Sequence, residues 1–161
     1  MSGAAGSICE TSRSPEDTLR IGAAVGGLAP AGMVLALVGE LGGGKTLFVK
    51  GLASGLGSRA AVTSPTFCLQ NIYRGGRLEL VHYDAYRLSG PAEFLALGAA
   101  ETMDSQRVSA VEWADKVASA LPHSYIRIRF ELLGETERRL TFEPAGGADI
   151  RWVRRALGLG G

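Results

Sequence analysis

A glycine-rich segment near residue 40 combines residue types and a spacing that suit phosphate binding. It matches the pattern G-x-x-x-x-G-K-[ST] and directly follows the apolar run 33–38. Its members are Gly39, Glu40, Leu41, Gly42, Gly43, Gly44, Lys45 and Thr46. Glycines allow several consecutive N–H groups to point at one ligand, because no Cβ obstructs the turn or the approach. The segment is therefore predicted to bind the phosphates of a nucleotide.

The two residues that end this segment carry side chains that suit ATP and Mg²⁺. Lys45 would bridge the β- and γ-phosphates, and Thr46 would ligate Mg²⁺. Residues 46–53 predict a helix whose positive N-terminal end would face the β-phosphate. The alternative is a glycine-rich turn without a ligand, but the strand before it and the helix after it are the context that phosphate binding requires.

Glu112 is the predicted acidic residue on the metal side of the site. It lies near the end of the β-branched run 107–113, which predicts a strand. A strand next to the phosphate-loop strand points its C-terminal end toward the metal, although any strand can end in a glutamate. We expect Thr46 and Glu112 to hold Mg²⁺. Trp113 should lie beside the nucleotide and report its binding, whereas Trp152 should be silent.

Asp84 is the predicted catalytic residue of a dense polar segment, 82–87, at the end of a predicted hairpin. It would order the attacking water or hold the metal through a water molecule, and Lys45 and Glu112 complete the catalytic set. His82 projects from the same strand face and could hydrogen-bond Asp84. The alternative is that the tyrosines pack while Asp84 and Arg87 form a surface pair.

The segment 64–67, Ser-Pro-Thr-Phe, predicts a loop beside the nucleotide. Mobile loops of NTPases often place a threonine near the γ-phosphate and Mg²⁺. Thr66 is therefore a candidate switch residue, although Ser-Pro-Thr is also a common turn sequence.

Helices and strands must hold these residues in place, and caps and hydrophobic periodicity predict them. Ser14 and Pro15 predict the start of a helix, which its own glycines weaken. The further predicted elements are a hairpin of 68–74 and 77–83 around a Gly75-Gly76 turn, helices over 91–98, 114–121 and 148–157, and strands over 125–132 and 138–142. The last two strands would expose Arg127, Arg129 and Arg139 as a solvated face rather than a binding site.

Length and composition indicate one domain without a broad nucleic-acid surface. The chain has 161 residues, 46% of them hydrophobic, and a formal net charge of +1. We expect a flexible tail over 1–13, a single domain over 14–157 and a frayed end over 158–161. Cys9 and Cys68 are too few for a disulfide framework, so we expect buried or idle thiols. The first residues lack the pattern of a signal peptide, which predicts a cytoplasmic protein without membrane contact.

Four segments occur in an order that resembles the bacterial TsaE (YjeE) family. They are the phosphate loop 39–46, the segment 64–67, the His-Tyr-Asp-Ala-Tyr-Arg-Leu segment 82–88 and Val111-Glu112-Trp113, and the resemblance covers roughly 14–121. Members of this family are P-loop ATPases required for the threonylcarbamoyl modification of adenosine 37 in tRNA, and they act with TsaD and TsaB. This chain departs from the family pattern at Glu40, Gly43 and Ala114, where aspartate, alanine and proline are usual.

The resemblance implies an α/β fold, a P-loop NTPase-like three-layer sandwich whose mixed sheet has a β-hairpin insertion and antiparallel C-terminal strands. It also implies an Mg-dependent ATPase that is slow alone, is stimulated by TsaD- and TsaB-type partners, reaches tRNA through that complex and is monomeric by itself. A small-molecule kinase is the alternative, but no arginine-rich lid is evident over 90–106. A GTP switch would need an N-K-x-D element, which the sequence lacks, so adenine is the expected base.

Overall fold

The computed structural model describes residues 6–40, 42, 44–63, 69–103 and 106–160. Its strands are β1 (Ile8–Ser12), β2 (Val34–Gly39), β3 (Gln70–Tyr73), β4 (Leu80–Asp84), β5 (Val108–Glu112), β6 (Tyr125–Leu132) and β7 (Arg138–Ala145). Its helices are α1 (Pro15–Leu28), α2 (Lys45–Gly55), α3 (Pro91–Leu95), α4 (Ala99–Met103) and α5 (Arg151–Ala156), together with a 3₁₀ helix over Ala114–Ala120. None of the helices in these ranges combines the length and the hydropathy of a membrane span.

The described strands form one mixed, seven-stranded sheet in the order β1-β7-β6-β2-β5-β4-β3. β2 lies at its centre and pairs in parallel with β5 and β6, and β4 pairs in parallel with β5. Antiparallel pairs add β7 and β1 on one side and β3 on the other. Because parallel strands have their C-terminal ends at one edge, the residues that end β2, β4 and β5 lie along the same edge. The predicted mixed sheet with a hairpin and antiparallel C-terminal strands is confirmed.

Helices cover both faces of the central strands, which gives the predicted three layers. Leu35 and Leu37 of β2 belong to the core that α1, α2 and α5 cover. Val34 and Ala36 of the same strand belong to the core that α3, α4 and the 3₁₀ helix cover. Since side chains alternate between the faces of a strand, these two cores lie on opposite sides of the sheet. The strand that leads into the phosphate loop is therefore held from both sides.

Glycines bring α1 and α2 into backbone contact. A Cβ on Gly22 would lie 2.4 Å from the carbonyl oxygen of Phe48, and a Cβ on Gly51 would lie 2.2 Å from that of Leu19. Only glycine permits such an approach, because a side chain has no room there. Gly27, also in α1, is different, since a Cβ placed on it would meet no heavy atom of the described residues within 4 Å. Gly22, which weakens the helix prediction, thus serves to position α2, which begins at the phosphate loop.

The predicted flexible tail over 1–13 is wrong for Ile8–Ser12, which form β1 at the edge of the sheet. These residues pair with β7 in an antiparallel register. Ile8 is buried, and the Ser12 hydroxyl lies 2.6 Å from that of Thr18 in α1. β1 is too short and too polar to be predicted as a strand from its own residues. It is held by backbone hydrogen bonds to a strand far along the chain and by the burial of one apolar side chain. Cys9 in this strand is exposed rather than buried, and Cys68 lies outside the described residues.

The hairpin of β3 and β4 forms, but the predicted two-residue turn at Gly75-Gly76 is wrong. β3 ends at Tyr73 and β4 begins at Leu80, so a longer loop connects them. A Cβ on the second glycine would lie 2.3 Å from the carbonyl oxygen of Leu56. The backbone N–H of Arg77 donates a hydrogen bond of 2.6 Å to the same oxygen. The glycine pair therefore allows the loop to pack against the end of α2.

Candidate nucleotide site

The phosphate loop connects β2 to α2 and has the backbone shape that its glycines predict. Gly39, Gly42 and Gly44 have φ angles of 147°, 81° and 96°, which glycine adopts without strain. A Cβ on Gly39 would lie 2.5 Å from the carbonyl oxygen of Phe130. A Cβ on Gly42 would meet no heavy atom of the described residues within 4 Å, so that side of the loop has room for a ligand. The other predicted ligands of the loop, Leu41 and Gly43, lie outside the described residues.

Lys45 is buried at the start of α2, with 4% of its surface exposed. Its Nζ donates hydrogen bonds to the carbonyl oxygens of Gly39 and Glu40, both at 2.9 Å. The same atom lies 4.4 Å from the centre of the Trp113 ring. The ammonium group is thus held between the backbone of the loop and the face of an indole.

The charge of Lys45 is balanced by nearby carboxylates. Burial lowers the pKa of Lys45 below its usual value, and attraction to Glu112, Asp84 and Asp115 opposes this shift. These acids come from β5, β4 and the 3₁₀ helix. The structure therefore brings the predicted catalytic residues Lys45, Glu112 and Asp84 into one electrostatic neighbourhood.

Thr46 and Glu112, the predicted metal-binding pair, are in direct contact. Oγ1 of Thr46 donates to the Glu112 carboxylate, 3.0 Å from Oε1 and 2.9 Å from Oε2. The parallel pairing of β2 with β5 makes this possible, because it places Glu112, the last residue of β5, opposite Leu37 near the end of β2. A hydroxyl that donates its proton to a carboxylate keeps lone pairs for a cation.

His82 contacts Glu112 rather than Asp84, so the predicted hydrogen bond between His82 and Asp84 is wrong. Nε2 of His82 lies 2.6 Å from Oε2 of Glu112. Nδ1 is buried and has no hydrogen-bond partner among the described residues. Asp84, not His82, lies directly opposite Glu112, so His82 and Glu112 are diagonal neighbours on adjacent strands, a separation that long side chains can bridge.

Asp84 ends β4 directly opposite Glu112 in the pairing of β4 with β5. It is half-buried. Its Oδ1 accepts a hydrogen bond of 3.0 Å from the backbone N–H of Tyr86, as an aspartate at the start of a turn often does. The side chain thus lies at the edge of the sheet where the phosphate loop also ends.

Trp113 follows Glu112 with a left-handed φ of 57°. Its ring centre lies 4.9 Å from that of Tyr86, which is 47% exposed. Together with the contact to Lys45, this places the indole at the phosphate loop. Trp152 instead lies buried in α5.

A cavity of about 610 Å³ opens beside the phosphate loop and Trp113. It is lined by Val38, Gly39, Glu40, Trp113, Asp115, Arg127 and Arg129. Arg127 and Arg129 form ion pairs with Glu143, at 3.4 and 3.0 Å. The predicted face of solvated arginines on β6 therefore continues into the wall of a cavity next to the site.

Two side chains at the site could not be recognised from the sequence. Nη2 of Arg138, at the start of β7, donates to the carbonyl oxygen of Gly42 at 3.2 Å. Asp115 is close enough to Lys45 to oppose the lowering of its pKa. No motif marks either residue, and Arg138 reaches the loop because β6, which pairs with β7, also pairs with the distant strand β2. The predicted switch residue Thr66 lies outside the described residues.

The oxygen donors at the loop fit Mg²⁺ bound together with a nucleotide. Thr46, Glu112 and Asp84 offer the hard oxygen atoms that this ion prefers. Within the described ranges, no group of three or more His, Cys, Asp or Glu side chains could hold a metal ion. Mg²⁺ commonly keeps several water molecules and binds substrate phosphates, so one or two protein ligands suffice.

Known proteins are similar to this chain in both sequence and fold. The family model described as "Threonylcarbamoyl adenosine biosynthesis protein TsaE" matches residues 12–140. The "tRNA threonylcarbamoyladenosine biosynthesis protein TsaE" of Treponema pallidum is 45% identical over 130 residues, which cover 81% of this chain and 96% of that protein. The protein of the same name from Bacillus subtilis is 41% identical over 133 residues, 83% of either chain. The crystal structure of Bacillus subtilis YdiB matches with a TM-score of 0.78 at 34% identity and covers 95% of both chains. The chain therefore belongs to the TsaE family.

Proposed function

We propose that this chain binds ATP with Mg²⁺ and hydrolyses it in support of threonylcarbamoyl transfer to adenosine 37 of tRNA. The names of its relatives state a role in threonylcarbamoyladenosine biosynthesis. The observation that carries the ATPase proposal is the hydrogen bond from Thr46 to Glu112. It joins the start of the phosphate-loop helix to the end of the neighbouring parallel strand, and P-loop NTPases hold Mg²⁺ and the triphosphate between these two elements.

The phosphate loop and Lys45 would bind the β- and γ-phosphates. Backbone N–H groups of the loop and of the first turn of α2 provide donors at the positive end of a helix. An ammonium group has three N–H donors, and the carbonyl oxygens of Gly39 and Glu40 use two of them. The third would be donated to phosphate oxygens. The Trp113 ring covers Lys45 and limits the access of water to it.

Asp84 would act on the attacking water. Its carboxylate, at the end of β4 beside Glu112, would accept a hydrogen bond from that water and orient it for in-line attack on the γ-phosphorus, as the bond to the ADP oxygen breaks. Glu112 would hold the Thr46 hydroxyl in place. Mg²⁺ supplies positive charge that stabilises the developing charge on the phosphates. Thr66, in the segment 64–67, would act as a switch residue near the γ-phosphate and Mg²⁺.

We propose TsaD- and TsaB-type proteins as the partners that raise a slow intrinsic turnover, with this chain monomeric when alone. A net charge of +1 offers no broad attraction for nucleic acid, so tRNA would be reached through the complex. Work on tRNA would place the protein in the cytoplasm.

ATP turnover tests the proposal when it is measured alone, with the two partner proteins, and with a panel of small hydroxyl acceptors. We expect Mg-dependent hydrolysis that rises with the partners and leaves every acceptor unphosphorylated. Thr46→Ala and Glu112→Ala should each raise the Mg²⁺ midpoint by about tenfold or more. Glu101→Ala, at an exposed site on α4, is the matched control and should leave it unchanged. Phosphorylation of an acceptor without stimulation by the partners would favour a kinase, and an unchanged midpoint in both site variants would refute the metal assignment.

A further inference from the structure

We infer that His82 is a positioning residue that fixes the Glu112 carboxylate for Mg²⁺ binding, an inference that rests on the proposed function. Nε2 of His82 lies 2.6 Å from Oε2 of Glu112. The histidine has no exposed surface, and Glu112 is only 4% exposed. The same carboxylate accepts the hydrogen bond from Thr46. His82 therefore lies behind the proposed metal side of the site, with no exposed surface that could contact a nucleotide.

The proposed role of Glu112 sets the direction of its hydrogen bond with His82. A carboxylate that ligates Mg²⁺ is ionised and only accepts hydrogen bonds, so in that role Glu112 would accept from Nε2 of His82. Nδ1 has no hydrogen-bond partner among the described residues. Among the described residues, the contact with Glu112 is therefore the hydrogen bond that orients the ring. His82 is thus a fixed hydrogen-bond donor.

Two donors from different elements hold the carboxylate. His82 approaches Oε2 from β4, and Thr46 approaches both oxygens from α2. With Glu112 held by His82, the Thr46 hydroxyl would keep its proton directed at the carboxylate and its lone pairs available to the metal. Without His82, the carboxylate can rotate about its last torsion, because that torsion is soft. The direction of the Thr46 lone pairs is then no longer fixed.

A purely structural role explains the same burial but predicts different behaviour. His82 packs beside Tyr73, with ring centres 6.1 Å apart, so many replacements would lower stability. A buried Nδ1 without a partner costs free energy that an apolar side chain would avoid. Measurements of stability alone therefore do not distinguish the two roles. The effect of Mg²⁺ on nucleotide affinity distinguishes them.

Calorimetry of a non-hydrolysable ATP analogue, with and without Mg²⁺, measures that response as the ratio of the two affinities. His82→Leu should reduce the ratio by about tenfold or more, and the affinity without Mg²⁺ should stay within about twofold. His82→Gln should restore most of the ratio, because its amide nitrogen can donate near the position of Nε2. In a Glu112→Ala background, His82→Leu should have no further effect. Leu80→Ala is the matched control, since Leu80 is buried on the same strand and face and its loss should leave the ratio unchanged.

A ratio in His82→Leu equal to the parent's would overturn the inference, and so would equal losses in the Leu and Gln variants. If His82→Leu does not fold, Gln is compared with Asn, whose shorter side chain cannot reach Glu112. A ratio that Gln keeps and Asn loses supports the inference, and equal ratios overturn it. A parent protein that binds the analogue equally well with and without Mg²⁺ would overturn the proposed function itself.

Discussion

Replacing Gly22 by alanine should force apart the two helices that position the phosphate loop. The new Cβ would lie 2.4 Å from the carbonyl oxygen of Phe48 and 3.1 Å from the nitrogen of Leu52. Both are backbone atoms of α2, so no side chain can rotate to make room. Overpacking costs about 1–3 kcal/mol, and a backbone obstacle belongs at the upper end of that range. We expect the free energy of unfolding to fall by about 3 kcal/mol, which lowers Tm by about 6–12 °C in a domain of this size.

Gly27→Ala on the same helix is the matched control. A Cβ there would meet no heavy atom of the described residues within 4 Å. Gly27 lies in the last turn of α1, where glycine costs less than in a helix interior, so alanine should raise the free energy of unfolding by up to about 0.5 kcal/mol. The same chemical change should therefore have opposite signs at two positions of α1.

Urea unfolding followed by circular dichroism measures both free energies, and calorimetry measures nucleotide affinity in parallel. Gly22→Ala should also weaken nucleotide binding, because α2 carries Lys45 and Thr46 at its start. Equal unfolding free energies for the two variants would refute the backbone contact between the helices.

Further predictions concern the nucleotide site and the start of α1. Lys45→Ala should abolish tight ATP binding, measured by calorimetry, and leave the fold intact, because it removes the positive charge that contacts the β- and γ-phosphates. An unchanged affinity would exclude this role. Asp84→Asn should keep ATP affinity within about tenfold yet lower single-turnover hydrolysis in the partner complex by about a hundredfold or more. A parental rate would remove Asp84 from catalysis. The fluorescence response to ATP should disappear in Trp113→Phe and persist in Trp152→Phe, and the reverse result would place the site elsewhere. A backbone N–H and a guanidinium hold the pKa of Asp17 below its usual 3.8. Its ionised form therefore stabilises the fold above that pH, and this contribution is lost as the pH falls. Asp17→Asn should lower the urea midpoint at pH 7, and the deficit should shrink in acid; a deficit that grows in acid would contradict the assignment.

Local signals were sufficient to predict the elements around the phosphate loop. α1 begins at Pro15 after the predicted cap Ser14, whose hydroxyl accepts a hydrogen bond of 3.0 Å from the N–H of Asp17. β6 covers the predicted range 125–132, because its apolar and polar residues alternate strictly. Motifs and periodicity are properties of short segments, so they can be recognised without the rest of the chain.

Contacts between distant segments could not be predicted in this way. β1 forms only because β7 offers it an open edge. The contact of His82 with Glu112 depends on the register of β4 against β5, which no local pattern reveals. The contact of Arg138 with Gly42 likewise depends on the pairing of β6 with the distant strand β2. The sequence thus predicted which loop residues and acids belong to the site, but it did not predict their hydrogen-bond partners.

The central position of β2 has a consequence for synthesis on the ribosome. β2 ends at Gly39, but the strands on its two sides begin only at Val108 and Tyr125. Chains emerge with the N-terminus first, and pairing across such long separations is slow because the intervening loop must be closed. The phosphate loop therefore leaves the exit tunnel well before the strands that hold it. A nucleotide can stabilise the chain only after these strands have been synthesised. The earlier nascent chain must therefore avoid aggregation without help from the ligand.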